Sequence, residues 1–111
     1  DPWLADVFRA EMQRLGRTPL PPEVEATLPL GSTDMGNVTQ VMPGIHPVVG
    51  VGAEAGVSVH QPEFAAAAAG PGGDAAVIDG AVLLARTVVT LAQTTSERAR
   101  VLDRLERRVA S

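Results

Sequence analysis

Apolar residues recur at three- and four-residue steps near the start of the chain, which is the spacing of one face of a helix. Asp1 can cap this helix, Pro2 suits its first turn and Gly16 marks its end. The apolar series comprises Trp3, Leu4, Val7, Phe8, Met12 and Leu15. Prolines are frequent from 17 to 30, so we predict a connecting loop there, with at most one helical turn near Glu23 to Thr27.

The pattern in the middle of the chain favours short elements. Met35 to Met42 is predicted to form a short helix, which Asp34 can cap and Pro43-Gly44 ends. Ile45 to Val51 is mostly β-branched and apolar, which is typical of a buried strand in a parallel sheet. Val57 to His60 alternates in polarity and predicts a second short strand.

A long apolar helix is predicted after the turn residues Pro71-Gly72-Gly73, with Asp74 as its cap and Ala92 near its end. Its broad apolar stripe indicates a helix that lies on a sheet. Thr94 to Glu97 matches a capping box, so the Arg-rich end is either a continuation or a separate helix with a solvated charged face. The order of elements predicts an α/β fold in which helices pack on a short sheet.

Length and composition restrict the class of protein. The 111 residues allow one domain, and 45% hydrophobic residues are enough for a core. A net charge of −4 argues against nucleic-acid partners. Cysteine is absent, which excludes thiolate metal sites and thiol nucleophiles. No signal peptide or uninterrupted apolar run of about 20 residues is visible, so we expect a cytoplasmic protein with no membrane partner. The missing initial Met suggests a fragment of a longer protein.

The two histidines are the candidates for metal chemistry. His60 precedes a proline-containing turn, at the predicted carboxyl end of a strand, where α/β proteins bind ligands. Neither His60 nor His46 belongs to a closely spaced histidine pair, so other residues must complete any metal site. Ser32 raises a second hypothesis, a serine hydrolase that uses a histidine, although no Gly-x-Ser-x-Gly turn surrounds it.

Three segments together resemble the C-terminal part of a known enzyme family. They are GSTDMGNVT at 31–39, VMPGIHP at 41–47 and HQPEF at 60–64. In order and spacing they are similar to the aminoacylase-like dizinc metallopeptidases, and most similar to the amidohydrolase and dipeptidase branch. The likeness extends over nearly all of the chain and is most specific in the first two segments.

The resemblance implies an α/β zinc-exopeptidase-like catalytic domain, of which residues 1–111 would be the C-terminal portion. A lid or dimerisation domain and the remaining metal ligands would precede them, and the intact enzyme would be a homodimer. His60 matches the last metal ligand of the family, with zinc as the expected metal and manganese or cobalt as alternatives. Four further positions, together with Ser32, are expected to line the pocket for a small amide or dipeptide substrate: Thr33, Asp34, Asn37 and His46.

The expected parent activity is hydrolysis of the amide bond in a small N-acyl amino acid or dipeptide. Two metal ions would polarise the carbonyl group and lower the pKa of a shared water towards ~7. Since the other ligands are absent, we predict that these 111 residues alone are inactive. The main alternative is a small non-enzymatic module that presents the long helix and its Arg-rich extension to a partner.

Overall fold

The computed structural model describes residues 1–28 and 33–110. The elements in these two ranges are all helices: α1 Pro2–Arg14, α2 Pro22–Glu25, α3 Met35–Val41, α4 Pro62–Ala68, α5 Pro71–Gln93 and α6 Thr95–Val109. No strand is present in the described ranges. The predicted α/β fold with helices packed on a sheet is therefore wrong for this structure.

Both predicted strands take other conformations. Residues 43–54 form neither helix, turn nor bend, and 59–60 lie in a turn. A strand is stable only beside partners that complete its backbone hydrogen bonds, and a parallel partner must come from a separate segment. The described residues offer no such partner, and Pro47 has no N–H to donate. Alternate residues of 45–51 are half-buried and the others are exposed, so the predicted buried strand is wrong in both burial and conformation.

The predicted helices near both ends of the chain are confirmed. α1 begins after Asp1 and ends at Arg14, and the single turn α2 lies within the proline-rich loop. α6 is a separate helix after Thr94, but the side chain of Thr94 makes no capping hydrogen bond. The predicted capping box is therefore not formed, although the helix boundary that it indicated is correct.

α5 is the central helix and packs against α1, α4 and α6. Within the described ranges four apolar side chains are buried, and Leu83 is fully enclosed. These side chains are Leu4, Phe8, Ala76 and Leu83. Glu11 is also buried and accepts hydrogen bonds from Arg14 and from Thr90, the latter at 2.8 Å. The core is thus a contact between α1 and one side of α5, joined by a buried polar bridge.

Two glycines in the first turn of α5 allow close contact with neighbouring backbone. A Cβ atom on Gly72 would meet the carbonyl oxygen of Val51, and one on Gly73 would meet that of Ala68. Both distances would be well under 3.0 Å, which is too short for a real side chain. Pro71, Gly72 and Gly73 are predicted from the sequence as a turn before the helix. In the structure they form its first turn, because proline suits the first helical position.

Hydrogen bonds between its backbone and charged side chains hold the segment that follows α3. The carboxylate of Asp1 accepts the N–H of Gly44 at 2.9 Å and two guanidinium N–H groups of Arg108, at 2.7 and 3.1 Å. Arg17 donates to Asp79 on α5 at 2.7 Å and to the carbonyl oxygen of Gly50 at 3.0 Å. The segment from 44 to 50 is therefore held at both ends without a sheet.

Much of α5 is exposed despite its apolar sequence. Within its most apolar stretch of 18 residues, 17% is buried. By length and composition alone α5 could cross a membrane. One such helix is weak evidence for a membrane span, since core helices of soluble proteins meet the same criterion. The apolar stripe predicted to lie on a sheet is largely uncovered by the described residues, as at Val77 and Val88.

Candidate functional site

His60 lies just before α4 and has an unusual backbone conformation. Its φ angle is +70°, the one positive value among the described residues other than glycine. This left-handed region is costly for residues with a Cβ atom, and such strain is often found at functional positions. The side chain is exposed and is not enclosed by apolar packing. His60 is therefore accessible to a ligand.

No metal site forms around His60 among the residues that the structure describes. No group of three or more His, Asp or Glu side chains suited to a metal ion occurs in residues 1–28 and 33–110. Asp34, considered as an orienting partner for the imidazole, makes no hydrogen bond with it. The described residues therefore do not complete a metal site at His60.

Thr33 and His46 meet although thirteen positions separate them in the chain. The hydroxyl oxygen of Thr33 lies 3.4 Å from Nδ1 of His46. The same oxygen accepts the backbone N–H of Met35 at 3.3 Å, where α3 begins. The structure therefore brings together two of the residues predicted to bind substrate, at the N-terminal end of α3.

The other predicted substrate residues are less closely associated. Asp34 occupies the N-cap position of α3 and is exposed, but its side chain makes no capping hydrogen bond. Asn37 is exposed within α3. Ser32 lies outside the described residues, so the structure does not test the prediction that it contacts substrate. The hypothesis of a serine hydrolase depends on the same residue and stays a prediction.

An open apolar hollow of about 320 Å³ lies beside His46. α1 contributes Phe8, α3 contributes Met35, and α5 contributes Gly80 and Leu84. The segment after α3 supplies the remaining lining residues, Ile45, His46, Pro47 and Val49. Among the described residues, no neighbouring atom lies within 4 Å of the position that a Cβ atom of Gly80 would take. Sequence reasoning missed this residue, although a glycine inside an apolar helix often has a packing reason and could have pointed to it.

A second hollow of about 370 Å³ lies between α1 and the start of α6. The guanidinium group of Arg100 lies 5.4 Å from the centre of the Trp3 ring, in the geometry of a cation–π contact. Nε1 of Trp3 and Oε2 of Glu97 are buried and have no hydrogen-bond partner in the part of the chain that the structure describes. None of the residues predicted to bind metal or substrate lines this hollow.

Comparison with known proteins returned no match among protein-family models, curated proteins or solved structures. The functional assignment therefore depends on the motif residues and on their positions in this structure.

Proposed function

We propose that this chain is part of a metal-dependent hydrolase that cleaves the amide bond of small N-acyl amino acids or dipeptides. In this proposal His60 is one ligand of a metal centre, with zinc as the metal. The residues around Thr33 and His46 contact the substrate. The remaining metal ligands come from polypeptide outside this sequence, and these 111 residues are inactive alone.

The observation that carries the proposal is the exposed imidazole of His60 on a strained backbone. A positive φ angle at a residue other than glycine persists only where the surrounding structure enforces it. The residue lies directly before α4, in the segment that resembles the metal-binding segment of the amidohydrolases. An exposed neutral imidazole is a suitable zinc ligand.

Association of Thr33 with His46 supports the same proposal. These residues come from the two most specific segments of the resemblance, and they lie next to an apolar hollow. Ligand sites of small-molecule enzymes combine an apolar surface with a few placed polar groups. Bound metal would polarise the substrate carbonyl group and supply a hydroxide nucleophile, and the residues of this chain would orient the substrate.

The metal assignment is tested by titrating the chain with Zn²⁺ and recording the NMR signals of both histidine rings. We expect weak binding at His60, because one imidazole provides one of the three or four ligands of a stable site. His60→Ala should abolish the response, and His46→Ala is the matched control that should keep it. An equal response at both histidines would contradict the assignment of His60.

The predicted inactivity is tested separately with Zn²⁺ or Mn²⁺ and a panel of dipeptides and N-acyl amino acids. We expect no turnover above that of the metal alone. Sustained turnover that His60→Ala does not remove would contradict both the inactivity and the role of His60.

The exposed apolar side chains of α5 favour a second candidate function, a non-enzymatic helical interaction module. Val77 is 72% exposed and Val88 is 64% exposed, and both lie on one long helix. Apolar surface of this kind is typical of protein contacts. A chain that presents this stripe to a partner should bind an apolar dye in the absence of the partner, and Val88→Lys should reduce that binding. Dye binding that is absent, or that Val88→Lys leaves unchanged, would contradict this candidate.

A further inference from the structure

We propose that the exposed apolar stripe of α5 binds a second copy of this chain, through an antiparallel pair of α5 helices. The pair is a symmetric dimer in which each copy presents the same surface to the other. This inference goes beyond the proposed hydrolase and does not rest on it. It identifies the partner that the uncovered side chains of α5 fit.

The stripe has the spacing of a helix that packs along another helix. Its members follow one another at alternate steps of three and four residues, which is the pattern of paired helices. All of them are exposed, and the buried Leu83 lies on the opposite side of α5, so the stripe faces away from α1. The members of the stripe are Ile78, Ala81, Ala85, Val88 and Ala92.

The stripe is complementary to itself about its centre. When two copies of α5 run antiparallel about position 83, Ile78 lies opposite Val88 of the second copy, and Ala81 lies opposite Ala85. The alanines in the two central layers let the helices approach closely, and a larger apolar pair closes each end. Such a contact buries on the order of 1,000 Å² in total, the lower limit for a stable interface, so we expect a dissociation constant of about 10 μM.

Charges at the two ends favour the same antiparallel arrangement. It places Asp74 opposite Ala92 of the second copy, and within each chain Arg98 donates a hydrogen bond of 3.3 Å to the carbonyl oxygen of Ala92. Asp74 therefore meets the guanidinium group of Arg98 from the other copy. Within residues 1–28 and 33–110 neither side chain forms an ion pair. A parallel pair would instead place the two copies of Asp74 side by side, where they repel each other.

A lipid membrane is the other apolar environment that would cover α5. Asp79 and Arg86 lie in the middle of this helix, and a membrane span would carry both into hydrocarbon, which is costly for charged groups. Asp79 also accepts a hydrogen bond of 2.7 Å from Arg17, which lies outside the helix. A second copy covers the stripe and leaves these charges in their present surroundings, so the observations favour the dimer.

The dimer is tested by sedimentation of the chain at concentrations from about 1 μM to about 1 mM. We expect the mass to rise from that of one chain to that of two, and the binding of an apolar dye per chain to fall with it. Ala85→Arg should keep the chain monomeric, because it places a charge in a central layer. Ala66→Arg is the matched control and should still dimerise, since Ala66 is an exposed alanine of α4 outside the stripe.

Charge reversal tests the register without changing the apolar stripe. Asp74→Arg and Arg98→Asp should each weaken the dimer about tenfold, because either one converts two symmetric attractive contacts into repulsive ones. The chain that carries both substitutions should regain the parent affinity, since opposite charges face each other again. Affinity that stays reduced in the double variant would contradict the antiparallel register, and circular dichroism shows whether each variant keeps its helices.

A distance measurement tests the orientation of the two helices. Cysteine is absent from the chain, so Gln93→Cys, at the end of α5, provides a single position for a spin label. The antiparallel dimer separates the two labels by about 30 Å, the rise of some twenty helical residues, whereas a parallel dimer brings them to about 10 Å. A short distance, a dimer that Ala85→Arg leaves intact, or a chain that stays monomeric throughout would each overturn the proposal. A monomer that binds phosphatidylcholine vesicles would assign the stripe to a lipid surface instead.

Discussion

The hydroxyl group of Thr90 on α5 donates a hydrogen bond of 2.8 Å to the buried carboxylate of Glu11 on α1. Arg14 provides the second partner of the same carboxylate oxygen. A buried carboxylate is stable only while its acceptors are satisfied. This bridge therefore links the two helices that enclose the core, across 79 positions of sequence.

Removal of the Thr90 hydroxyl should weaken this bridge. We predict that Thr90→Val lowers the free energy of unfolding by about 1–3 kcal/mol, because it leaves a buried carboxylate with fewer hydrogen bonds. Urea unfolding followed by circular dichroism measures the change. Thr18→Val is the control, since Thr18 is exposed, and a loss as large in that variant would show that the hydrogen bond is not the cause.

The glycines of α5 should respond in opposite directions to the same substitution. Gly73→Ala should be strongly destabilising, because the added Cβ would meet the carbonyl oxygen of Ala68. Gly80→Ala should raise stability by about 0.5–1 kcal/mol, since alanine favours the helix and meets no neighbour. Thermal unfolding of the two variants beside the parent chain measures both effects. Similar changes in both would argue against the close contact of α4 with α5.

Leu83 and Leu84 are adjacent on α5 but differ in burial, so truncating each one shows how much burial contributes to stability. Leu83 is fully buried, whereas Leu84 is 55% exposed. We predict that Leu83→Ala costs about 2–5 kcal/mol through the cavity that it leaves. Leu84→Ala should cost clearly less, because the larger part of its surface is already in water. Denaturant midpoints give both values, and a larger loss at Leu84 would mean that the helix presents its other face to the core.

The backbone conformation of His60 predicts that replacing this residue by glycine stabilises the chain while removing zinc binding. His60→Gly should stabilise the chain by about 0.5–1 kcal/mol, because glycine adopts a φ of +70° without the steric cost of a Cβ atom. The same variant should lose the zinc response. Val59→Gly serves as the control and should not stabilise, since Val59 has no positive φ angle. Destabilisation by His60→Gly would show that the histidine side chain supports the fold.

Local signals in the sequence were sufficient for several elements. The periodicity at the start of the chain predicted α1, and the apolar run after Asp74 predicted most of α5. The same reasoning missed α4, because Pro62 was interpreted as part of a turn although proline is favourable at the first helical position. The family resemblance singled out Thr33 and His46, but it provided no reason for them to meet.

Helix boundaries follow from the sequence itself because caps, prolines and apolar spacing act within a few residues. Strand formation at 45–51 depended on partners that no local pattern specifies, and the described residues provide none. Tertiary structure alone decided which side of α5 is buried, since both sides are apolar enough to form a core. It also decided the contact between Thr33 and His46 and the space left open beside Gly80, because both depend on how distant segments lie against each other.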